Sequence, residues 1–280
     1  MIRNDEKAGF DLVIEGSRSN GQYWTDLWQY RELFFFLAWR DILVRYKQTV
    51  IGLAWSVIRP FLTMLVFTIV FGRLAKLPSG GVPYPILVYA AMLPWQFFST
   101  SFNDASNSLI NNSNMLTKIY FPRMIVPAST VIVNFIDFLI SFVIFIGLML
   151  WYHYTPPWMI ITLPLFFFWV VLISLGTGFY VAAVNVKYRD FKYIVPFVVQ
   201  FGLYISPVGF SSSVIPEKWR LLYSVNPIVG VIDGFRWAII GDSSPIYVPG
   251  FLLSIAITVL FFVFGIMYFR KMERVFADLV

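Results

Sequence analysis

Six runs of about twenty residues carrying very little charge, at 50–71, 84–102, 125–151, 158–184, 194–214 and 250–269, constrain this chain more than any other feature. At ~1.5 Å per helical residue, a run of that length covers the ~30 Å hydrocarbon core of a bilayer, and in lipid a single segment satisfies its own backbone only as a helix. Composition agrees: 59% of the 280 residues are hydrophobic and 13% are charged, whereas soluble domains are ~45–50% apolar. The expected fold class is an all-α polytopic membrane protein with six transmembrane helices. Its expected parts are a flexible tail (1–22), an in-plane helix (23–48) and the six-span domain (49–280).

Three segments are too short or too charged to cross. In 23–48, Leu27, Leu33, Phe34, Leu37, Ala38, Ile42 and Val44 alternate with Asp26, Glu32, Arg40, Asp41, Arg45 and Lys47, a pattern for an amphipathic helix lying along the interface, with a break near Arg31. Between spans five and six, 215–248 holds apolar pieces of ten to fourteen residues, read as re-entrant helices. The third is 111–123. There Asn112 or Ser113 is placed to cap a short helix, Met115, Leu116 and Ile119 form its apolar face, and Pro122 ends it.

Lys and Arg near the span ends fix the expected orientation. Twelve (Arg31, Arg40, Arg45, Lys47, Lys118, Arg123, Lys187, Arg189, Lys192, Arg270, Lys271, Arg274) fall on one side and five (Arg73, Lys76, Lys218, Arg220, Arg236) on the other. By the positive-inside rule both termini are cytoplasmic, as are 111–123 and 187–193. The lack of a signal-peptide core near the amino terminus agrees.

Two charges sit at membrane depth. Arg59 lies ~14 Å into the first span and Asp137 ~18 Å into the third from the same side, so an Arg59–Asp137 pair is expected. The alternatives are a protonated or Ser141-bonded Asp137, and an Arg59 that snorkels from a span beginning at Pro60. A semi-polar stripe with Trp55 and Arg59, and Phe197, Phe201 and Tyr204 beside Gln200 on the Pro/Gly-interrupted fifth span, are candidate walls of a substrate path. Aromatic residues also serve as interfacial belts.

Several classes of chemistry have no residues here. Cysteine is absent and His153 is the single histidine, so thiolate and multi-histidine metal sites are not expected. There is no Gly-Lys-Ser/Thr phosphate loop and no catalytic carboxylate cluster. The net charge of +6 flanks the spans rather than forming a solvent-facing stripe, which argues against nucleic acid. What remains is a passive conduit among membrane lipids that awaits an energy source, closed by a second copy as a homodimer.

Several ordered motifs then carry a resemblance. Gly52-Leu53-Ala54-Trp55 through Arg59-Pro60, Asn114-Met115-Leu116-Thr117-Lys118-Ile119-Tyr120-Phe121-Pro122-Arg123, Asn185-Val186-Lys187-Tyr188-Arg189-Asp190-Phe191, Ser206-Pro207-Val208, and Asn226-Pro227 with Gly234-Phe235-Arg236-Trp237 resemble permease subunits of ABC exporters for lipid-linked polysaccharides, including O-antigen and teichoic acid export permeases. The resemblance implies a coupling helix at 112–120 docking in a groove of a separate ATPase subunit. Asn114, Met115, Leu116, Lys118, Tyr120, Phe121 and Arg123 would make that contact, and Lys187 and Arg189 a second one. It further implies two copies of this chain with two ATPase subunits, ATP and Mg on the partner and no cofactor here. The cargo would be a glycan on polyprenyl diphosphate, crossing the cell inner membrane. An exporter for drugs or small lipids and a membrane-bound glycan-processing enzyme are the alternatives.

Overall fold

The computed structural model describes residues 20–47, 50–118, 120–188, 190–273 and 276, with side chains in α1 and α3 described from Tyr23 and Val57 onward. The tail expected at 1–22 lies outside them up to residue 19, and from Asn20 the chain is already helical. Eleven α-helices are described: α1 Asn20–Gln29, α2 Arg31–Lys47, α3 Val50–Phe67, α4 Tyr84–Asn111, α5 Ser113–Leu116, α6 Ile125–Trp151, α7 Leu163–Lys187, α8 Phe191–Ile205, α9 Glu217–Tyr223, α10 Pro227–Ile240 and α11 Val248–Glu273. A π-helical stretch, Thr68–Leu74, prolongs α3, and the 3₁₀ turn Trp158–Thr162 leads into α7. The break expected near Arg31 falls at Tyr30.

Four segments are long and apolar enough to cross a membrane: Val57–Leu74, Ile125–Trp151, Trp158–Lys187 and Val248–Glu273. Helix α4 is long enough at 28 residues but more polar, because it runs through the middle of the bundle. It packs on α6, α7 and α10, with α3 and α8 along its remaining side. Buried there, Ser106 and Ser108 donate their hydroxyls to carbonyls one turn back, at 2.6 and 2.8 Å, so small polar residues cost little. The apolar run ends at Phe102, but the helix continues to Asn111, nine residues further.

Helix α8 has 15 residues, ~22 Å, and stops at Ile205 rather than reaching 214. Pro207 removes a donor, and the chain turns through 206–210. The free carbonyls of this turn are answered by two side chains. Arg236 of α10, 0% exposed, donates Nη1 to Phe210 O (2.6 Å), Nη2 to Val208 O (3.0 Å) and Nε to Leu87 O (3.2 Å), while Tyr84 donates to Gly209 O (2.8 Å). Arg236, counted above among the five cations of the other side, is thus a buried clamp on irregular backbone. Helix α10 has a matching start and stop, with Asn226 accepting from Ile228 N–H, Pro227 in the first turn, and Gly241 at φ 72° closing the end.

Helices α7 and α11 meet at glycines. A Cβ on Gly265 would come within 2.1 Å of Gly176 O, and one on Gly176 within 2.6 Å of the Phe262 backbone, so both positions require the absence of a side chain. Trp169 Nε1 donates to Thr258 Oγ1 across the same pair at 2.7 Å.

Candidate functional site

The polar side chains of the bundle gather at the end where α5 lies. On α4, Asn103, Asp104, Asn107 and Asn111 recur at three and four residues; on α6, Thr130, Asn134, Asp137 and Ser141 do the same. Helix α2 crosses over both rows, and between the three helices is a cleft of about 580 Å³ lined by Arg40, Asp41, Arg45, Asn103, Asn107 and Thr130, among others.

Arg45 bridges the two rows. Its guanidinium donates to Asp137 (2.7 Å) and Asn134 (2.8 Å) on α6 and to Asp104 (2.9 Å) on α4. Next to it, Tyr46 donates its hydroxyl to the other oxygen of Asp137. Burial, and then the Asp137 carboxylate, raise the Tyr46 hydroxyl above its ordinary value, so it remains a donor. The expected Arg59–Asp137 pair is thereby corrected: Asp137 is taken by Arg45 of α2, and Arg59 is exposed on the surface of the single chain. Depth alone matched Arg59 to Asp137, but depth does not fix azimuth, and α2 folds its Arg45 down beside α6. Asp104 lies just past the apolar run at 84–102, where hydropathy marks only the polar end of a span. Its place in the three-and-four spacing from Thr100 to Asn111 was the available signal.

The segment after α4 contains one turn of helix. Asn112 spends its side chain elsewhere than on a cap: Oδ1 accepts from Arg40 Nη2 (3.0 Å) and Nδ2 donates to Ser108 O (2.9 Å). Leu116 and Phe121, expected to fill a groove on another subunit, are 5% and 3% exposed within this chain, packed in one cluster with Leu37, Leu109, Phe269 and Phe276. That expectation is corrected, since each side chain already has an apolar seat. Met115 is half-buried, whereas Asn114, Thr117, Lys118 and Tyr120 are exposed, Tyr120 by 66%. Arg123 is tied to the end of α11: its N–H donates to Glu273 Oε1 at 2.7 Å and its guanidinium lies 5.8 Å from the Phe276 ring centre. Lys187 is exposed over the Tyr188 ring, and Arg189 lies outside the described residues.

The residues proposed for a substrate path are only partly assembled. Phe197, Gln200, Phe201 and Tyr204 share an exposed face of α8, with Phe197 and Phe201 ring centres 4.3 Å apart and Tyr204 6.5 Å from Phe67 of α3. Arg59 is exposed on α3, and the side chain of Trp55 lies outside those described.

A helical membrane protein with a polar cleft at one end, beside a short helix held between two long ones, fits a transporter's membrane domain. The chain belongs to the ABC-2 type transporter family, whose sequence model matches residues 32–240. It is 28% identical over 214 residues to the O-antigen export system permease protein RfbA of Myxococcus xanthus, covering 75% of this chain and 81% of that protein. A Klebsiella pneumoniae protein of the same name is 25% identical over 257 residues, 89% of this chain and 95% of its own length. The polysialic acid transport protein KpsM of Escherichia coli is 22% identical over 205 residues, 71% and 78% of the two chains.

Proposed function

We propose that the chain is the transmembrane subunit of an ATP-driven exporter moving a polysaccharide of the O-antigen type, linked to polyprenyl diphosphate, from the inner to the outer leaflet of the cell inner membrane. The observation that carries this reading is the near end-to-end similarity to an O-antigen export permease, over 89% of this chain and 95% of the relative. ATP and Mg²⁺ belong to a separate ATPase subunit; two copies of it join two copies of this chain.

In this reading α4 and α8 bring the crossings to six, α8 completing its passage through the turn clamped by Arg236. Helices α1 and α2 lie in the headgroup plane, with Phe35, Phe36 and Trp39 of α2 directed to lipid. Both termini are cytoplasmic, and α9 and α10 are re-entrant from the outer side. The ATPase docks on Asn114, Thr117, Lys118 and Tyr120, with Lys187 and Arg189 as a second contact. Leu116, Phe121 and Arg123 hold that face in place, and Met115 lies at its edge. Phe197, Gln200, Phe201 and Tyr204 offer flat faces to sugar rings, with Trp55 and Arg59 on the neighbouring span.

Removing the chain from a cell that makes such a glycan is expected to leave finished lipid-linked polysaccharide on the cytoplasmic leaflet, protected from a glycosidase added outside. Normal surface glycan with altered drug tolerance would point instead to a drug or small-lipid exporter. Turnover of a glycosyl donor by the purified chain would make it an enzyme.

A further inference from the structure

Helix α4 has one half-exposed side, and that side is polar. Gln96, Thr100, Asn103 and Asn107, with the more exposed Asn111, follow one another at three and four residues, a ladder ~23 Å long that starts at the cleft under α2 and runs toward the middle of the bundle. Its upper end reaches α8, where Gly202 sits so close to Trp95 that a Cβ would come within 2.6 Å of the ring. Among the described residues, the side chains of Gln96, Asn103 and Asn111 have no hydrogen-bond partner, while Asn107 is fixed by Asn185 of α7 at 3.2 Å. An amide facing hydrocarbon without a partner is strongly disfavoured, so this side of α4 faces water or a polar occupant.

The charges at its base select among occupants. Arg40 is paired with Asp41 at 2.7 Å, and Arg45 lies between Asp104 and Asp137 at 2.9 and 2.7 Å. In the lining of the cleft two guanidinium groups face two carboxylates, which leaves no excess positive charge there to hold a diphosphate. Primary amides and carboxylates instead match hydroxyl groups, each amide both donating and accepting.

The geometry points to the α4 ladder as a binding track for the uncharged, hydroxyl-rich sugar chain, entered from the cleft beneath α2 and leading to the aromatic face of α8. This assignment rests on the export reading above and adds to it the wall that makes the hydrogen bonds. The lipid diphosphate is held elsewhere.

The test is photo-crosslinking in the assembled transporter, in cells producing the glycan, with benzoylphenylalanine placed in turn at Gln96, Asn103, Phe201 and Leu260, the last an exposed position on α11. Carbohydrate-bearing adducts are expected at 96, 103 and 201 and none at 260. Carbohydrate at 201 but not at 96 or 103 would overturn the track while leaving the export reading in place. Adducts joining two copies of the chain at 103 would overturn it by making this face a protein contact. Carbohydrate at no position would overturn the track and count against export as well. In parallel, Asn103→Leu is expected to reduce export about tenfold at an unchanged level of protein in the membrane, with Asn103→Gln recovering most of it. Normal export by Asn103→Leu would contradict the assignment.

Discussion

At the scale of single residues, two arginines do work that their neighbours in sequence would not indicate. Arg45 is held by carboxylates from two helices, and a half-buried ion pair with good geometry contributes to the position of α2 rather than to bulk stability. A double-mutant cycle of Arg45→Met and Asp137→Asn, read by thermal unfolding in detergent, is expected to show a coupling of ~0.5–3 kcal/mol, and the same cycle with Arg59 none. A larger coupling for Arg59 would restore the pairing first expected from depth. Arg236 satisfies three carbonyls at once. Arg236→Leu leaves buried acceptors without donors at ~1–3 kcal/mol each, so the folded chain should be strongly destabilised. Arg236→Lys should recover only part, because an ammonium lacks the planar fork. An unfolding temperature unchanged in Arg236→Leu would show that the turn at 206–210 does not need its clamp.

At the scale of elements, the short helix α5 and the loop after it are divided into an inner and an outer side. Leu116 and Phe121 face inward, so Leu116→Asp forces a charge into the chain's own core and should lower the amount of folded protein in the membrane. Tyr120→Asp alters only the outer side; it should insert normally and fail to couple to the ATPase, measured as lost stimulation of hydrolysis. If Leu116→Asp accumulated normally, the inner assignment would be wrong. Gly265→Val should separate α7 from α11, since even one added carbon meets a backbone oxygen at 2.1 Å, and a folded variant with intact packing would argue against that contact. Helices α6, α7 and α11 were legible in the sequence because each is an unbroken apolar run with few competing patterns. The continuation of α4 beyond Phe102 was not, because hydropathy ends where a buried helix turns polar, while the helix itself is kept by its i+4 bonds and its neighbours. Of the candidate site, the loop at 111–123 was visible as a segment with its own short helix. Which of its side chains point inward depended on α2 and α11 coming to lie against it, and no local pattern carries that.

At the scale of the whole molecule, two apolar clusters meet at Leu175 of α7, which packs against both. The larger surrounds α4 with α6, α7 and α10; the smaller joins Leu37 of α2, Leu116 and Phe121 of the loop, Phe179 and Ala182 of α7, and Phe269 of α11. Under the proposed docking, force applied at α5 would reach α2, α7 and α11 through these packed side chains. In the proposed export function, motion of these elements is supplied by a separate ATPase subunit. The decisive measurement is therefore made with purified components: this chain and its cognate ATPase reconstituted in vesicles containing lipid-linked polysaccharide. Transfer of the glycan to the leaflet opposite the ATPase is expected only when both subunits and ATP are present, and transfer by the chain alone, or none with both subunits assembled and hydrolysing ATP, would contradict the account.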